Sequence, residues 1–347
     1  MNYSLPLPTD ELWRRTRPET FSFPRFLPSS SIGAFRKING SRDGVYVMTM
    51  PEGRERFPAL FTHIGNPTHA NDLSRYAEEI AEDGFLVYVD PSVREADPIE
   101  ISLELSDHPD CALGNIVAIA PGADVSLTES LSDPGGSQAF ISTRILVGSR
   151  ARLTYRRLWR WKRNVFSGCL ITLSRDAHLN LTSLNRGEKV SKIEQSVTLS
   201  GRGAHLDELF VDLGTNRSHV DLALEINHGA PDTYSRAETR GVVRDRAYSL
   251  HHGLIRIFPE AKRADSYFNS KHLLLTDKGR ADSIPKLEIC TDEVKAGHGH
   301  TLSDVDSEAI YYIMTRGIPH KQAVEMYVDG FLAPMYERFP DLSDMLG

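Results

Sequence analysis

Residues 148–213 read GSRARLTYRRLWRWKRNVFSGCLITLSRDAHLNLTSLNRGEKVSKIEQSVTLSGRGAHLDELFVDL. Three times in this stretch an alanine follows a turn-forming triplet and precedes an x-Leu pair: Ala151-Arg152-Leu153, Ala177-His178-Leu179 and Ala204-His205-Leu206. Upstream, Ala123-Asp124-Val125 has the same form, and the four alanines stand 28, 26 and 27 residues apart. Each period holds two strand-like runs, such as Ile193–Leu199 and His205–Leu213. A small residue at a fixed place suits a position where stacked coils crowd together, and a turn residue just before it lets the chain bend. Strands that repeat without helices between them favour a solenoid over a doubly wound sheet. A β-sandwich with coincidentally spaced alanines is the other reading.

Outward from this core, the texture holds over about residues 86–285. Residues 1–85 are mixed: prolines at 6, 8, 18, 24 and 28 interrupt them, a short helical patch is expected at Thr9–Arg15 and a strand at Tyr46–Met50. Asn71–Asp83 reads as a helix capped by Asn71, with Leu73, Tyr76, Ile80 and Ala81 as its apolar stripe and Gly84 as its stop. In residues 286–347 the pattern turns helical. One helix is expected over Ser307–Arg316, stopped by Gly317, and a second over Lys321–Ala333, ended or kinked by Pro334. Such a helical pair would cap the exposed edge of a solenoid and offer a docking face.

Forty basic residues against 47 acidic ones argue against nucleic-acid binding. The basic stretch Arg150–Arg163 reads as a strand with one wet face. Cys111, Cys169 and Cys290 are too scattered for a disulfide framework or a structural zinc site. The first residues lack an apolar signal segment and no run of 18 apolar residues occurs, so a reducing cytoplasm is expected and no membrane. The sequence has no P-loop, no dinucleotide fingerprint, no Gly-x-Ser-x-Gly elbow and no His-Glu-x-x-His. The chain is therefore not expected to bind nucleotide itself or to be an enzyme of those classes.

The densest set of potential ligands is Glu288, Cys290, His298 and His300, in a Gly-rich segment. Thiolate and imidazole suit iron and iron–sulfur centres, with carboxylate a further donor. One cysteine and two histidines in so short a window also arise by chance, the cysteine packing and the histidines sitting in turns.

Several separate stretches resemble the SufB/SufD family of iron–sulfur cluster assembly scaffolds. They are Leu7-Pro8-Thr9 with Glu11–Thr16, Asn115–Glu129, and His228–Gly241 with Gly253-Leu254-Ile255. The most specific lie at the end: Ile284–Ile289, Asp292–Lys295, His298–Thr301, Tyr311-Tyr312, Arg316-Gly317-Ile318 and Gly330-Phe331. The resemblance implies a right-handed parallel β-helix with an N-terminal mixed α/β segment and a C-terminal helical pair. It also implies a partner ABC-type ATPase, SufC, docked on the helical pair through Tyr311, Tyr312, Arg316, Gly317, Ile318 and Phe331. Pairing with a SufB-type chain or with a second copy would complete the scaffold, and a transient iron–sulfur cluster would form at the dimer interface. His298 matches the SufD histidine implicated in assembly. Gly299 stands where SufB relatives carry Glu, and Gly279 where they carry a reactive cysteine, which places the chain on the SufD side. Two other classes stay open: a β-helix carbohydrate-active enzyme using Asp207, Glu208, Asp212 and Asp221, and an interaction module without cluster ligands.

Overall fold

The computed structural model describes residues 4–23, 30–39, 43–63, 72–94 and 97–339. Strands β1 (Ile32–Asn39) and β2 (Val45–Thr49) come first, followed by short helices α1 (Met50–Arg56), α2 (Pro58–His63) and α3 (Asp72–Glu79). Strands then follow one another directly: β3 (Phe85–Val89), β4 (Ile99–Leu105), β5 (Asp110–Ile119), β6 (Asp124–Ser132), β7 (Gln138–Val147), β8 (Arg152–Trp161), β9 (Asn164–Leu173) and β10 (His178–Gly187). The series continues with β11 (Val190–Leu199), β12 (His205–Gly214), β13 (His219–His228), β14 (Tyr234–Val243), β15 (Tyr248–Ile257), β16 (Asp265–Leu274), β17 (Arg280–Ile289) and β18 (Lys295–Asp304). Helices α4 (Ser307–Met314) and α5 (His320–Arg338) close it.

Even-numbered strands from β4 to β18 form one nine-stranded sheet with β1 at its edge; odd-numbered strands from β3 to β17 form a second with β2 at its edge. Neighbours within each sheet run parallel, except for the antiparallel pairs β1–β4 and β2–β3. Consecutive strands therefore alternate between sheets and each turn stacks on the one before, a β-solenoid of about seven turns. This excludes the sandwich reading, in which antiparallel neighbours would dominate.

The repeat alanines explain the corners. Gly122, Arg150, Asp176, Gly203, Asp232 and Arg263 all have φ between +53° and +78°. Each directly precedes the first buried residue of a turn: Ala123, Ala151, Ala177, Ala204, Thr233 and Ala264. The left-handed residue reverses the chain, and the small residue after it, alanine in five turns and threonine in the other, is buried at the corner. Within the turns Ala151 N–H donates to Gly148 O (3.0 Å) and Ala204 N–H to Gly201 O (3.1 Å).

Between the sheets lies the main apolar core, from Val45 to Phe268. Each sheet's outer face is covered, the odd sheet also by α1 and α2, which lay Met50 and Leu60 on Leu86, Ile116 and Ala118. The N-terminal segment and α3 lay Trp13, Phe21, Leu73 and Tyr76 on Ala112, Phe140 and Phe166 of the odd sheet. Helix α5 lays Val328, Leu332 and Met335 on Leu184, Leu209 and Val242 of the even sheet. Full burial of a side chain of this size is worth ~2 kcal/mol, so neither cover is a loose appendage.

Four local expectations shift. The Thr9–Arg15 patch is a single helical turn, with Trp13 and Arg14 N–H groups both donating to Asp10 O, and it does not propagate because one turn fixes several residues for few bonds. Helix α3 is shorter than Asn71–Asp83, and its expected cap Asn71 lies outside the described residues. The helical texture expected from residue 286 begins only at Ser307, because β18 still finds a parallel partner in β16. Asp306 caps α4 by accepting from Glu308 and Ala309 N–H groups. Finally, α5 runs through Pro334 to Arg338. The clash a proline makes is with the residue four earlier, here Gly330, and buried Leu332 and Met335 on either side hold the helix to the sheet.

Candidate functional site

β17 and β18 end the two sheets, and among the described residues no further strand pairs with either. Side chains that would face the interior one turn earlier are uncovered here. Ile289 pairs with the fully buried Ile257 yet is 42% exposed, and Leu302 pairs with the fully buried His272 yet is 48% exposed.

The four ligand candidates all fall at this end but on different surfaces. Glu288 is on the outer face of the odd sheet, accepting from Arg256 Nε at 2.7 Å, while Arg256 Nη1 reaches Glu225 at 2.6 Å. Cys290 follows β17, is exposed, and is held by its N–H to Ile257 O (2.9 Å). His298 and His300 share the face of β18 that continues the solenoid interior, pairing with Phe268 and Ser270. His300 stands edge-on to His272, ring centroids 6.1 Å apart. Among the described residues no group of three or more His, Cys, Asp or Glu converges on one point. Gly299 leaves room for Tyr267: a Cβ there would lie 2.8 Å from the Tyr267 hydroxyl.

Of the expected docking residues, Tyr311 and Tyr312 are 70% and 60% exposed. Arg316 donates to the Tyr312 hydroxyl (2.7 Å), and Gly317 reverses the chain at φ +83° with open space around it. Ile318 is half-buried, and Phe331 packs against the even sheet beneath Arg240.

Inside the solenoid lies a polar network that the sequence reading missed. The basic stretch 150–163 reads in sequence as a strand with one wet face, yet Arg157 and Arg163 are buried. Arg157 shares the inward face of β8 with Leu153, Tyr155 and Trp159; it donates to Ser183 Oγ (2.9 Å), Gln195 Oε1 (2.8 Å) and Cys169 Sγ (3.6 Å). Gln195 donates onward to Glu208 (2.6 Å), and Glu129 accepts from Trp159 Nε1 (3.1 Å) and from the Tyr155 hydroxyl. Burial pushes the Glu208 carboxyl up to about 7 and the Cys169 thiol up to about 11. Arg163 sits at a corner, paired with Asp133 at 2.8 Å and donating to the Ser106, His108 and Gly135 carbonyls. The only available signal was parity: Arg157 alternates with residues that must face inward.

Nearer the open end, Asp212 Oδ1 accepts from His251 Nε2 (2.7 Å) and from the Ser249 hydroxyl (3.2 Å). The His272 ring lies 4.3 Å from that of His251, tilted by 35°, and reaches Ser249 Oγ through Nε2 (3.1 Å). Burial first, then the neighbouring histidines, holds the His272 imidazole far below its ordinary range. The acids a carbohydrate-active enzyme would need are not displayed together to solvent. Glu208 and Asp212 are interior, Asp221 is buried under the N-terminal segment beside Lys192, and Asp207 is paired with Arg338. His228, His251 and His205 are likewise structural, the last stacked between His178 and Tyr234.

Residues 108–331, most of the solenoid with α4 and the first part of α5, match the family described as "SUF system FeS cluster assembly, SufBD core domain". The chain belongs to the SufBD family. It is 28% identical over 294 residues to the iron-sulfur cluster assembly protein SufD of Bacillus subtilis, a match covering 81% of this chain and 66% of that protein. It is 24% identical over 297 residues to an iron-sulfur cluster assembly SufBD family protein of Staphylococcus saprophyticus, covering 83% and 63%. The chain thus spans less than two thirds of the length of these relatives. The SufBD assignment agrees with the β-solenoid. No helix among the described residues is long and apolar enough to cross a membrane.

Proposed function

We propose that this chain is a SufD-like scaffold subunit that pairs through its open solenoid end and builds a transient iron–sulfur cluster at the resulting interface. The observation that carries the reading is the pair of uncovered terminal strands. β17 and β18 present unpaired backbone groups, exposed Ile289 and Leu302, and His298 with His300 on one surface. A strand edge of this kind is a template for pairing with another chain. Because the four candidate ligands do not converge within one chain, the remaining donors come from the partner, a SufB-type chain or a second copy. The surface of α4, with Tyr311 and Tyr312 outermost, is the docking face for a SufC-type ABC ATPase, so the chain acts as scaffold rather than enzyme and works in the cytoplasm.

The test is co-expression with a SufB-type chain and the ATPase, followed by size measurement of the purified complex. Retention of the ATPase by the parent chain and its loss in Tyr311→Ala/Tyr312→Ala support docking at α4. A complex unaffected by that double substitution sinks it. Substituting Leu302→Glu and Ile289→Lys should disperse the paired species; a dimer that survives both places the interface elsewhere.

A further inference from the structure

At the open end, hydrogen bonding determines which nitrogen of a buried histidine is bare. The Ser249 hydroxyl donates to Asp212 Oδ1, so its oxygen accepts from His272 Nε2–H at 3.1 Å. That fixes the His272 tautomer and leaves Nδ1 as an unprotonated acceptor. His272 is fully buried, and Nδ1 has no hydrogen-bond partner among the described residues. Its direction follows from the ring's other edge: a Cβ built on Gly241 of the preceding turn would lie 2.5 Å from His272 Cδ2. Nδ1, across the ring from Cδ2, therefore faces the following turn, which is β18. Its register partner there is Leu302, and the imidazole on that side is His300, two residues earlier on β18, edge-on at 6.1 Å between centroids and exposed.

We propose that His272 Nδ1 and His300 form the protein half of a site for a borderline divalent transition ion such as Fe2+, held just inside the open end of the solenoid. Two imidazoles suit such an ion better than Mg2+ or Ca2+, which take oxygen ligands. With metal–nitrogen bonds of about 2.1 Å, two imidazoles on a tetrahedral ion place their ring centroids roughly 5.3 Å apart. The exposed His300 covers the difference by a small rotation, while His272 is already fixed from behind. That support is the arrangement expected of a ligating histidine: its other N–H goes to Ser249, which is itself anchored on Asp212. The open coordination positions face the surface where a second chain would pair. In this last respect the inference rests on the scaffold reading, the bound iron being cargo for assembly; metal binding by the single chain does not depend on it.

The experiment titrates the isolated chain with Co2+ alone, under anaerobic conditions, following its visible absorption, and repeats the titration with Fe2+ by calorimetry. The parent chain should bind one ion, and His272→Ala and His300→Ala should each weaken binding by about tenfold or more. His300→Cys should retain binding and add a thiolate-to-cobalt band in the near ultraviolet. His320→Ala, on the exposed start of α5, should leave binding unchanged. Since His272→Ala removes a buried side chain and could unfold the end turn, the exposed His300 variants carry the decision. Failure of the parent chain to bind Co2+, or binding unaltered in both His300 variants, overturns the site. Binding here with no ATPase complex would instead count against the scaffold reading and leave the site standing.

Discussion

Lys192 and Asp221 form an ion pair whose two side chains are both fully shielded from solvent, with Nζ 2.9 Å from Oδ1. Nζ also donates to Leu12 O (2.7 Å) and lies 5.2 Å from the Trp13 ring centroid, and the Thr16 hydroxyl donates to the other oxygen of Asp221. The pair therefore ties the N-terminal segment to the outer face of the odd sheet. Lys192→Met keeps the length of the side chain but leaves Asp221 as a buried, uncompensated carboxylate. Removing one member of such a pair costs about 3–5 kcal/mol. The low end is expected, because His252 Nε2 is 3.8 Å from Asp221. Burial holds His252 down to about 4, and the Lys192 charge contributes to that depression. Losing Lys192 lets His252 take up a proton more readily, so the deficit should be smaller at pH 6 than at pH 8. The double variant Lys192→Met/Asp221→Leu should recover most of the loss, since two neutral side chains need no partner. Solenoids unfold in segments, so the assay is local: hydrogen exchange over residues 10–20 and tryptic cleavage after Arg14 and Arg15, alongside urea unfolding followed by Trp13 emission. A single variant within about 1 kcal/mol of the parent with unchanged cleavage, or a double variant as unstable as the two singles combined, would refute the reasoning.

Three further outcomes can be checked. Gly203→Ala places a Cβ at φ +75° and 2.3 Å from Asp176 Oδ1; it should cost at least ~1–2 kcal/mol in urea unfolding, whereas substitution at the exposed Arg175, outside the left-handed position, should cost little. Glu208 is protonated up to about pH 7 in the folded chain, against a usual 4.5. The folded state thus holds more protons between those values, and this group's contribution to stability falls as pH rises from about 4.5 to 7. Glu208→Gln should flatten that fall and leave the variant more stable than the parent at pH 8 by about a few kcal/mol, read from denaturation midpoints at pH 5 and pH 8. Met335→Ala, at a fully buried position of α5, should cost about 2–5 kcal/mol and raise hydrogen exchange across residues 320–338. Exchange confined to the last turn would show that Pro334 divides the helix after all.

Much of the solenoid was legible because its period is local chemistry. The residue before each of Ala123, Ala151, Ala177 and Ala204 occupies the left-handed region, and a bend followed by a crowded small residue recurs in the text of the chain. Facing within a strand was harder to read. Arg157 lies in a run where basic and apolar residues alternate, and that alternation alone does not say which face is wet; the side chains that accept its buried hydrogen bonds, Gln195 and Ser183, are 38 and 26 residues away. Pro334 reads in sequence as an end or a kink, and α5 runs on past it to Arg338 because propensity counts the lost hydrogen bond and not the packing of Leu332 and Met335 on a sheet formed far upstream.

The family and its solenoid were therefore set by residues whose meaning is short-range: corner geometry, alternation, and the motifs from Ile284 to Thr301. Tertiary structure alone decided which polar groups came together. Thr16 meets His219 across 203 positions at 2.7 Å, and Asp212, Ser249 and His272 line up only because β12, β15 and β16 stack into successive turns. The cause is that a strand's backbone bonds fix where a side chain sits but not what it faces; the opposite sheet supplies that, and its register depends on the length of every corner between. Whether His298 and His300 end inside a core or at an open edge was decided by where the stacking stops.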